Sequence, residues 1–405
     1  MPKNASGACV SSIMSDNTLD AYNIADLREL ARKRLPRGLF EFMDRGCEDE
    51  VSLRNNRDVF ERIKLKPRVL EDVSTRDQSV TLFGHKQNMP IAIAPTGTPG
   101  IMWYEGELAL ARAAKAAGIP FTLATTTLTA MERVVDEVGG RLWFQLYMYA
   151  DRSLSRWIAE RAKTAGYEAL IITVDSPTFS NREYNLRNGF TIPVTYSAKN
   201  MLDVINHPRW LFGVWLRYLR EGGLPLFENY PPEVKARVKA APMGRAMKLN
   251  DALNWDDIRE MRKLWPSTLM LKGVLHPDDA KQAADCGVDG VIVSNHGGRV
   301  VDGALAPIEA LPPMLDAVGK RMTVMVDSGY RRGSDIVKAM ALGAHAVLVG
   351  RATLYGTAAA GEAGATRALT ILHEEIDRVL ALVGCTSIEE LHRDLLALPD
   401  SLRAM

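Results

Sequence analysis

Cysteine is scarce in this chain, with four residues among 405 (Cys9, Cys47, Cys286 and Cys385), and no two of them form a C-x-x-C pair. This spacing argues against a disulfide scaffold or a zinc site and is typical of free thiols in a reducing compartment. Long apolar runs are also absent. No run approaches the roughly 18 apolar residues of a spanning helix, and the N-terminus lacks the apolar core of a signal peptide.

The chain also has almost no net charge and lacks the sequence motif of a dinucleotide-binding fold. The 50 Lys and Arg residues nearly balance the 49 Asp and Glu residues, giving +1 overall, which argues against nucleic acid as the main partner. No two glycines are spaced two apart, so the G-x-G-x-x-G turn of a doubly wound dinucleotide-binding sheet is absent. These absences leave an intracellular globular protein, soluble or peripheral to a membrane.

A repeated alternation of strands and helices occupies most of the chain. Short apolar segments are separated by amphipathic helical patterns, which indicates a parallel sheet covered by helices. The count of eight favours a closed barrel over an open sheet. We therefore predict an α/β fold, a (β/α)8 TIM barrel with an N-terminal helical extension and a long insert after strand 4. The predicted strands are Ile91–Ala94, Phe121–Ala124, Leu142–Leu146, Leu170–Val174, Leu269–Leu271, Val288–Val293, Thr323–Val326 and Ala346–Val349.

The segments outside the repeat define the predicted domain limits. Residues 1–20 are small and polar without a period and predict a disordered leader. The barrel domain is predicted over 21–395, beginning with two helices that Pro36 separates, and residues 396–405 form a C-terminal tail. Residues 51–89 are expected to be irregular, with short strands.

The insert, residues 187–250, is basic and rich in tryptophan. From Lys199 to Asn250 it holds nine Lys and Arg residues against four Asp and Glu residues, and it contains Trp210, Phe212 and Trp215. This composition predicts a peripheral membrane contact, with a lid or a subunit contact as the alternative. We expect the insert to be replaceable by a short loop, because the barrel's strand ends lie outside it.

The sixth strand ends in Ser294-Asn295-His296-Gly297-Gly298-Arg299, which places a base and a cation beside open backbone. Catalytic groups of barrel enzymes lie at such strand ends. Asp175, at the end of strand 4, can hold the His296 imidazole and stabilise its protonated form. Tyr147, Arg182 and Arg299 can bind a substrate carboxylate.

The remaining strand ends suit a flat, phosphorylated ligand. Strands 7 and 8 end in glycine and arginine, which offer open amides and bidentate cations to a phosphate. Lys272, at the end of an apolar strand, needs a negative charge to neutralise. Gln145 and Thr173 offer neutral hydrogen bonds to a polar ring. A metal-dependent barrel hydrolase is a further alternative, but no carboxylate and histidine cluster supports it.

At these residues the sequence resembles the FMN-dependent 2-hydroxy-acid dehydrogenase and oxidase family, which includes glycolate oxidase, lactate oxidase and mandelate dehydrogenase. The resemblance covers residues 22–395. Within the family, the sequence most resembles the membrane-associated (S)-mandelate dehydrogenases, because residues 192–199 and 207–210 fall in their long insert. The matching stretches are SNHGGR, VDSGYRRGSDIVKAMALGA, LVGRATLYG, WFQLY, ITVD and the N-terminal helix with RLP.

The resemblance implies FMN as cofactor, no metal, and residue roles at the site. His296 is implied as the base with Asp175 as its partner, Lys272 as a neighbour of the flavin N1/O2 edge, and Tyr147, Arg182 and Arg299 as substrate ligands. The implied FMN-binding residues are Pro95, Thr96, Gly97, Thr125, Gln145, Thr173, Lys272, Asp327, Gly329, Arg331, Gly350 and Arg351.

Three positions bear on substrate and electron acceptor. Phe42 stands where the family has a tyrosine that contacts the substrate carboxylate, so this hydrogen bond is lost. Ala124 stands where the family often has serine near the flavin. Gly97 is a position where oxidases often have alanine and dehydrogenases glycine, which favours a dehydrogenase.

We therefore expect oxidation of a mandelate- or lactate-like (S)-2-hydroxy acid to the 2-oxo acid, with electrons passing from FMN to a membrane quinone. We also expect a homotetramer, peripheral on the inner face of the cytoplasmic membrane, with no nucleic-acid partner. One alternative is a soluble oxidase that produces hydrogen peroxide. Another is a non-catalytic FMN-binding scaffold.

Overall fold

Eight parallel strands close into a barrel in this structure, a computed structural model that describes residues 20–189, 198–233, 235 and 249–399. Each strand pairs with the next along the chain, and the eighth pairs with the first, so the predicted (β/α)8 barrel is confirmed. Residues 1–19 of the predicted leader lie outside the described ranges. The same holds for residues 190–197, 234 and 236–248 of the insert and for residues 400–405 of the tail. Before the barrel come α1 (Ile24–Arg34), α2 (Arg37–Asp44), α3 (Val51–Arg62), β1 (Lys64–Leu65), β2 (Val80–Leu82) and β3 (His85–Gln87). The barrel strands are β4 (Ile91–Ile93), β5 (Phe121–Ala124), β6 (Leu142–Tyr147), β7 (Ala169–Thr173), β8 (Thr268–Val274), β9 (Gly290–Val293), β10 (Thr323–Val326) and β11 (Ala346–Val349).

Helices cover the outside of the barrel and pack against the outward side chains of the strands, as continuous apolar strands require. After β11 the chain forms one long helical stretch, kinked where Ala360 and Gly361 leave helical geometry, and ends in β12 (Leu396–Ala397), which pairs with β1. The helices are α4 (Gly106–Ala117), α5 (Met131–Glu137), α6 (Arg152–Ala165), α7 (Glu183–Arg187), α8 (Ala198–Ile205), α9 (Pro208–Trp210), α10 (Leu216–Glu221), α11 (Trp255–Leu264), α12 (Pro277–Asp285), α13 (Pro307–Val318), α14 (Gly333–Leu342) and α15 (Arg351–Val383).

The N-terminal end of the barrel is closed, which leaves the carboxyl ends of the strands for a ligand. Inward residues of the strands form a separate apolar cluster with Leu82, and Phe83 packs against it. The Phe83 ring lies edge-on to Trp143, with 6.1 Å between ring centroids. The hairpin formed by β2 and β3 therefore plugs the barrel.

The expectation that residues 51–89 are irregular is wrong at its start, where α3 is a twelve-residue helix. Its buried face includes Ser52 and Asn56 beside Val59 and Phe60. Two polar residues interrupt the apolar stripe, and this hides the helical period from a reading based on hydrophobicity.

The insert is folded onto the barrel where the structure describes it. Trp210 is only 7% exposed, donates its indole N–H to the carbonyl of Ile101 at 2.8 Å and stacks on Trp215. The prediction that Trp210 is available to a membrane is therefore wrong, because its N–H and ring are used inside the protein. No described helix is long and apolar enough to cross a bilayer.

Candidate active site

A cavity of about 890 Å3 lies at the carboxyl ends of the barrel strands, which is the size range of cofactor and small-molecule sites. The structure brings most of the predicted site residues together on its wall. Those lining it are Phe42, Pro95, Thr96, Gly97, Gln145, Tyr147, Thr173, Arg182, Lys272, His296, Arg299, Asp327, Gly329, Arg331, Gly350 and Arg351.

His296 and Asp175 form a hydrogen-bonded pair at one side of the cavity. The His296 Nδ1 lies 3.0 and 3.2 Å from the two carboxylate oxygens of Asp175. Asp175 does not line the cavity and lies behind the imidazole. A carboxylate on Nδ1 fixes the tautomer that carries its proton there, which leaves Nε2 as the free acceptor.

The charges around this pair keep His296 neutral and Asp175 ionised. Burial lowers the pKa of His296, and the nearby Lys272 and Arg182 lower it further, while Asp175 acts in the opposite sense. Burial alone would raise the pKa of Asp175, but its contact with the His296 imidazole and the charge of Lys272 lower it to about 2. At neutral pH the pair is therefore a neutral imidazole held by a carboxylate.

Gly273 makes room for this arrangement, although the sequence analysis did not single it out. Its φ is +102°, and a Cβ placed on it would lie 2.4 Å from the Asp175 Cβ. The strand pairing shifts at this point, between Lys272 and Val274. Glycine is required here because both the conformation and the close approach exclude a side chain.

Lys272 is almost fully buried and already has a carboxylate partner. Its Nζ lies 3.0 Å from Asp327 Oδ2 and donates to Ser294 Oγ at 2.9 Å. The charge that the sequence analysis sought for Lys272 is thus supplied by Asp327. The Asp327 carboxylate faces Lys272 and accepts a hydrogen bond from the Ser328 hydroxyl at 2.8 Å. Because a carboxylate accepts hydrogen bonds and is negatively charged, Asp327 is better suited to hydroxyl groups of a ligand than to a phosphate.

Four guanidinium groups at the cavity have no carboxylate partner within the described part of the chain. Arg351 donates to the carbonyls of Met43, Arg45 and Gly297, and Arg331 donates to the carbonyl of Tyr330. Burial lowers the pKa of both. Buried cations without counter-ions are costly, so anionic ligands are required here.

The other two unpaired guanidinium groups belong to Arg182 and Arg299. Arg182 donates to the Arg299 carbonyl at 3.3 Å and to the Ser180 hydroxyl at 3.1 Å. Burial, helped by the charge of Arg182, lowers the pKa of Arg299 to about 10. The Arg299 guanidinium lies 5.5 Å from the centre of the Phe42 ring, so a phenyl face covers the cation where the family has a phenol.

Open backbone and neutral polar groups of the cavity suit a flat ring. A Cβ on Gly97 would meet no atom within 4 Å, and one on Gly350 would meet only the Ala94 and Thr96 side chains at 3.6 Å. The Gln145 amide donates to the Thr173 hydroxyl at 2.9 Å. A planar ring can therefore approach the main chain closely.

Thr125 is the predicted FMN-binding residue that does not line the cavity. It is fully buried, its hydroxyl donates to the Gln145 carbonyl at 2.6 Å, and its amide lies 3.4 Å from the Gln145 side-chain oxygen. Thr125 therefore holds Gln145 and does not face the ligand, because the strand turns its side chain towards β6.

Part of the insert returns to the cavity, which was not predicted from the sequence. Phe227, Tyr230 and Leu249 line it, and the Tyr230 hydroxyl lies 2.8 Å from that of Tyr149. The expectation that the insert can be replaced without affecting the site is therefore wrong. No local signal marks these residues, since the path of the insert depends on its packing against the barrel.

The barrel and its site define a class of protein: a TIM-barrel enzyme whose strand ends hold a flat, phosphorylated cofactor, a carboxylate substrate and a histidine base. The unpaired arginines and open glycines fit FMN. No group of three or more His, Cys, Asp and Glu residues suited to a metal ion occurs among the described residues.

Comparison with known proteins defines the family. Residues 31–398 match the FMN-dependent dehydrogenase family. The (S)-mandelate dehydrogenase of Pseudomonas putida is 45% identical over 377 residues, which cover 93% of each chain. The L-lactate oxidase of a Nostoc species is 38% identical, over 93% of this chain and 98% of the relative. The crystal structure of the monotopic membrane protein (S)-mandelate dehydrogenase has a TM-score of 0.89 and 44% identity, covering 94% of this chain and 100% of that one.

The chain belongs to the FMN-dependent dehydrogenase family. It is an FMN-dependent oxidoreductase that acts on 2-hydroxy acids of the mandelate and lactate type. The predicted cofactor and reaction class are thereby confirmed.

Proposed function

We propose that this protein oxidises an (S)-2-hydroxy acid to the 2-oxo acid at the surface of the cytoplasmic membrane and passes the electrons to a quinone. The observation that carries the chemistry is the His296 imidazole, held through Nδ1 by Asp175, beside Arg182 and Arg299, for which the described residues supply no carboxylate partner. A base and two cations on one wall suit a substrate with a removable proton next to a carboxylate.

His296 is the base, and its Nε2 accepts the proton. This geometry serves whether the proton leaves the 2-hydroxyl or carbon 2, because both atoms adjoin the carboxylate. Asp175 keeps Nδ1 protonated and stabilises the imidazolium that forms. FMN supplies the acceptor for the two electrons.

The carboxylate-binding side chains orient the substrate. Arg182 and Arg299 hold the carboxylate, and Tyr147 adds a hydroxyl donor, since burial raises the pKa of its phenol and keeps it protonated. The Phe42 ring covers the Arg299 guanidinium, and a phenyl ring has no hydroxyl to offer to the substrate carboxylate. The apolar walls contributed by Phe227 and Leu249 exclude water and accept the substrate side chain.

The remaining residues would hold FMN. Arg331 and Arg351 suit the phosphate, together with open backbone at Gly329 and Gly350, while Asp327 suits the ribityl hydroxyls. The buried charge of Lys272 favours negative charge on the ring. The ring would be bounded by Pro95, Thr96, Gly97, Gln145 and Thr173, with Thr125 behind Gln145.

Quinone as the acceptor is supported by Gly97, by exposed apolar side chains on the insert (Met201, Leu202, Ile205 and Phe212), and by the similarity to a monotopic membrane enzyme. A homotetramer at the inner face of the membrane belongs to the same proposal. The alternative is an oxidase that forms hydrogen peroxide, which the similarity to an L-lactate oxidase favours.

Anaerobic titration of the FMN-loaded protein tests the proposal. Mandelate, lactate, glycolate and longer 2-hydroxy acids are added in turn while flavin bleaching is recorded, and the reduced protein is then mixed with oxygen or with a soluble quinone. We expect one of these acids to bleach the flavin and quinone to reoxidise it faster than oxygen. Faster reoxidation by oxygen would favour the oxidase.

His296→Ala tests the residue assignment. The variant should retain FMN and reduce it about 10²- to 10⁴-fold more slowly, the usual range for a lost general base. The matched control is His345→Ala, because His345 lies at the opposite end of the barrel, where its Nδ1 contacts the backbone of Val324. Near-normal reduction by His296→Ala would remove His296 from the mechanism.

A further inference from the structure

The backbone at His296 adopts a conformation that ordinary residues avoid. Its φ is +59°, and the following Gly297 has φ +68°. A left-handed conformation is unfavourable for a non-glycine residue and persists only where the surroundings hold it. The position of the imidazole therefore depends on what restrains this turn.

Two serine hydroxyls restrain it. Ser294 Oγ accepts the His296 amide at 3.0 Å and also accepts the Lys272 ammonium at 2.9 Å. Ser328 Oγ accepts the Gly297 amide at 3.0 Å and donates to Asp327 at 2.8 Å.

The two hydroxyls connect the same ion pair to two successive amides. Lys272 and Asp327 lie 3.0 Å apart, and both are buried. Ser294 connects Lys272 to the turn, and Ser328 connects Asp327 to it. Ser328 itself has φ +75°, so it maintains a strained conformation that places its hydroxyl here.

We propose that Ser294 and Ser328 are positioning residues that transmit the fixed geometry of the Lys272–Asp327 pair to the backbone of His296. The inference rests on the proposed role of His296 as the base. Asp175 fixes only the ring, through one atom. The serines fix the main chain that carries the ring, and a displacement of about 1 Å at a reacting group can cost 10²-fold in rate.

A double-mutant cycle tests the proposal, using Ser294→Ala, His296→Ala and the double variant. In the FMN-loaded protein, Ser294→Ala should lower the limiting rate of anaerobic flavin reduction on the order of 10-fold. Substrate affinity should change little, because Arg182 and Arg299 are held by other contacts. In the His296→Ala background, Ser294→Ala should cause no further loss, since residues that act through one another are not additive.

Ser328→Ala and Ser328→Gly separate the hydroxyl from the backbone strain. Glycine adopts φ +75° without cost, so strain relief alone would make the glycine variant faster than the alanine one. We expect both to be slowed to a similar extent. The matched control is Thr357→Val, which removes a buried hydroxyl that donates only to the Thr353 carbonyl in its own helix.

The pH profile gives a second readout. Asp175 raises the pKa of His296, whereas Lys272 and Arg182, the cations that face it, lower it. A loosened contact with Asp175 should therefore move the acidic limb of the reduction rate to lower pH in Ser294→Ala.

Additive losses of reduction rate in the double-mutant cycle would overturn the proposal. So would a pH profile of Ser294→Ala whose acidic limb lies at the wild-type position. A glycine variant at 328 with the wild-type rate would also overturn it. A normal reduction rate in His296→Ala would instead overturn the proposed function, so the two failures are distinguishable.

Discussion

The exposed apolar side chains of the insert lead to a quantitative prediction for membrane binding. Met201, Leu202 and Ile205 on α8 are 56%, 63% and 61% exposed, and Phe212 just after α9 is 66% exposed. We refer to these four residues as the apolar insert face. None of them lines the cavity, so they can be changed without altering the wall of the site.

Apolar transfer and charge can both contribute to membrane binding through the insert. Full burial of such a side chain is worth about 1.5–3 kcal/mol, so burying the exposed portions of four side chains gives roughly 4–8 kcal/mol. The described side chains of the insert carry five basic and four acidic residues, which leave a net charge of +1. The five further basic residues, at 199, 237, 239, 245 and 248, could add at most about 5 kcal/mol at about 1 kcal/mol each.

Vesicle sedimentation checks this reasoning. The wild-type protein should pellet with neutral as well as anionic vesicles, and high salt should release it only in part, because salt does not screen apolar transfer. A variant with serine at all four positions of the apolar insert face should lose most binding and keep its rate of flavin reduction. Leu382→Ser is the matched control, since Leu382 is 65% exposed on α15, outside the insert.

Two results would refute the argument. The first is a four-serine variant that still pellets as well as the wild type. The second is complete release of the wild type by salt alone, which would assign binding to the basic residues. A wild-type protein that stays in solution beside both kinds of vesicle would favour the lid or subunit contact.

Three further predictions concern the cavity. Phe42→Tyr should tighten 2-hydroxy acids in anaerobic titrations by roughly 10- to 150-fold, because a hydrogen bond to a charged group is worth about 1.5–3 kcal/mol; unchanged affinity would mean that the pocket is built around the phenyl ring. Stopped-flow flavin reduction should stay level through neutral pH and fall only below the ordinary histidine pKa of about 6.5, since burial lowers the pKa of His296 and protonation removes the base; a fall that begins above pH 7 would contradict this sign. Gly273→Ala should slow flavin reduction at least about 10-fold and lower the melting temperature, because its Cβ would displace Asp175 and its φ adds roughly 1–3 kcal/mol of strain; normal rates would show that Asp175 can move without cost.

The barrel and the chemistry of its strand ends could be predicted from the amino-acid sequence. Short apolar runs that alternate with amphipathic helical patterns identify parallel strands. This pattern can be recognised in the sequence because it depends only on neighbouring residues. In a closed parallel barrel the carboxyl ends of all strands meet at one mouth. His296, Lys272 and Arg351 could therefore be placed in one site from their positions in the chain.

The contacts between these groups could not be predicted from the sequence and became known from the three-dimensional structure. The pairing of Lys272 with Asp327 depends on side-chain direction at neighbouring strand ends, which no local pattern encodes. Packing of the insert turned Trp210 inward and brought Tyr230 to the cavity. The left-handed turn at His296 is held by hydroxyls from two different loops. Apart from the local bond between Ser294 and His296, these contacts join residues far apart in sequence. They are set by how the elements pack, whereas a sequence pattern reflects only what each element needs to form.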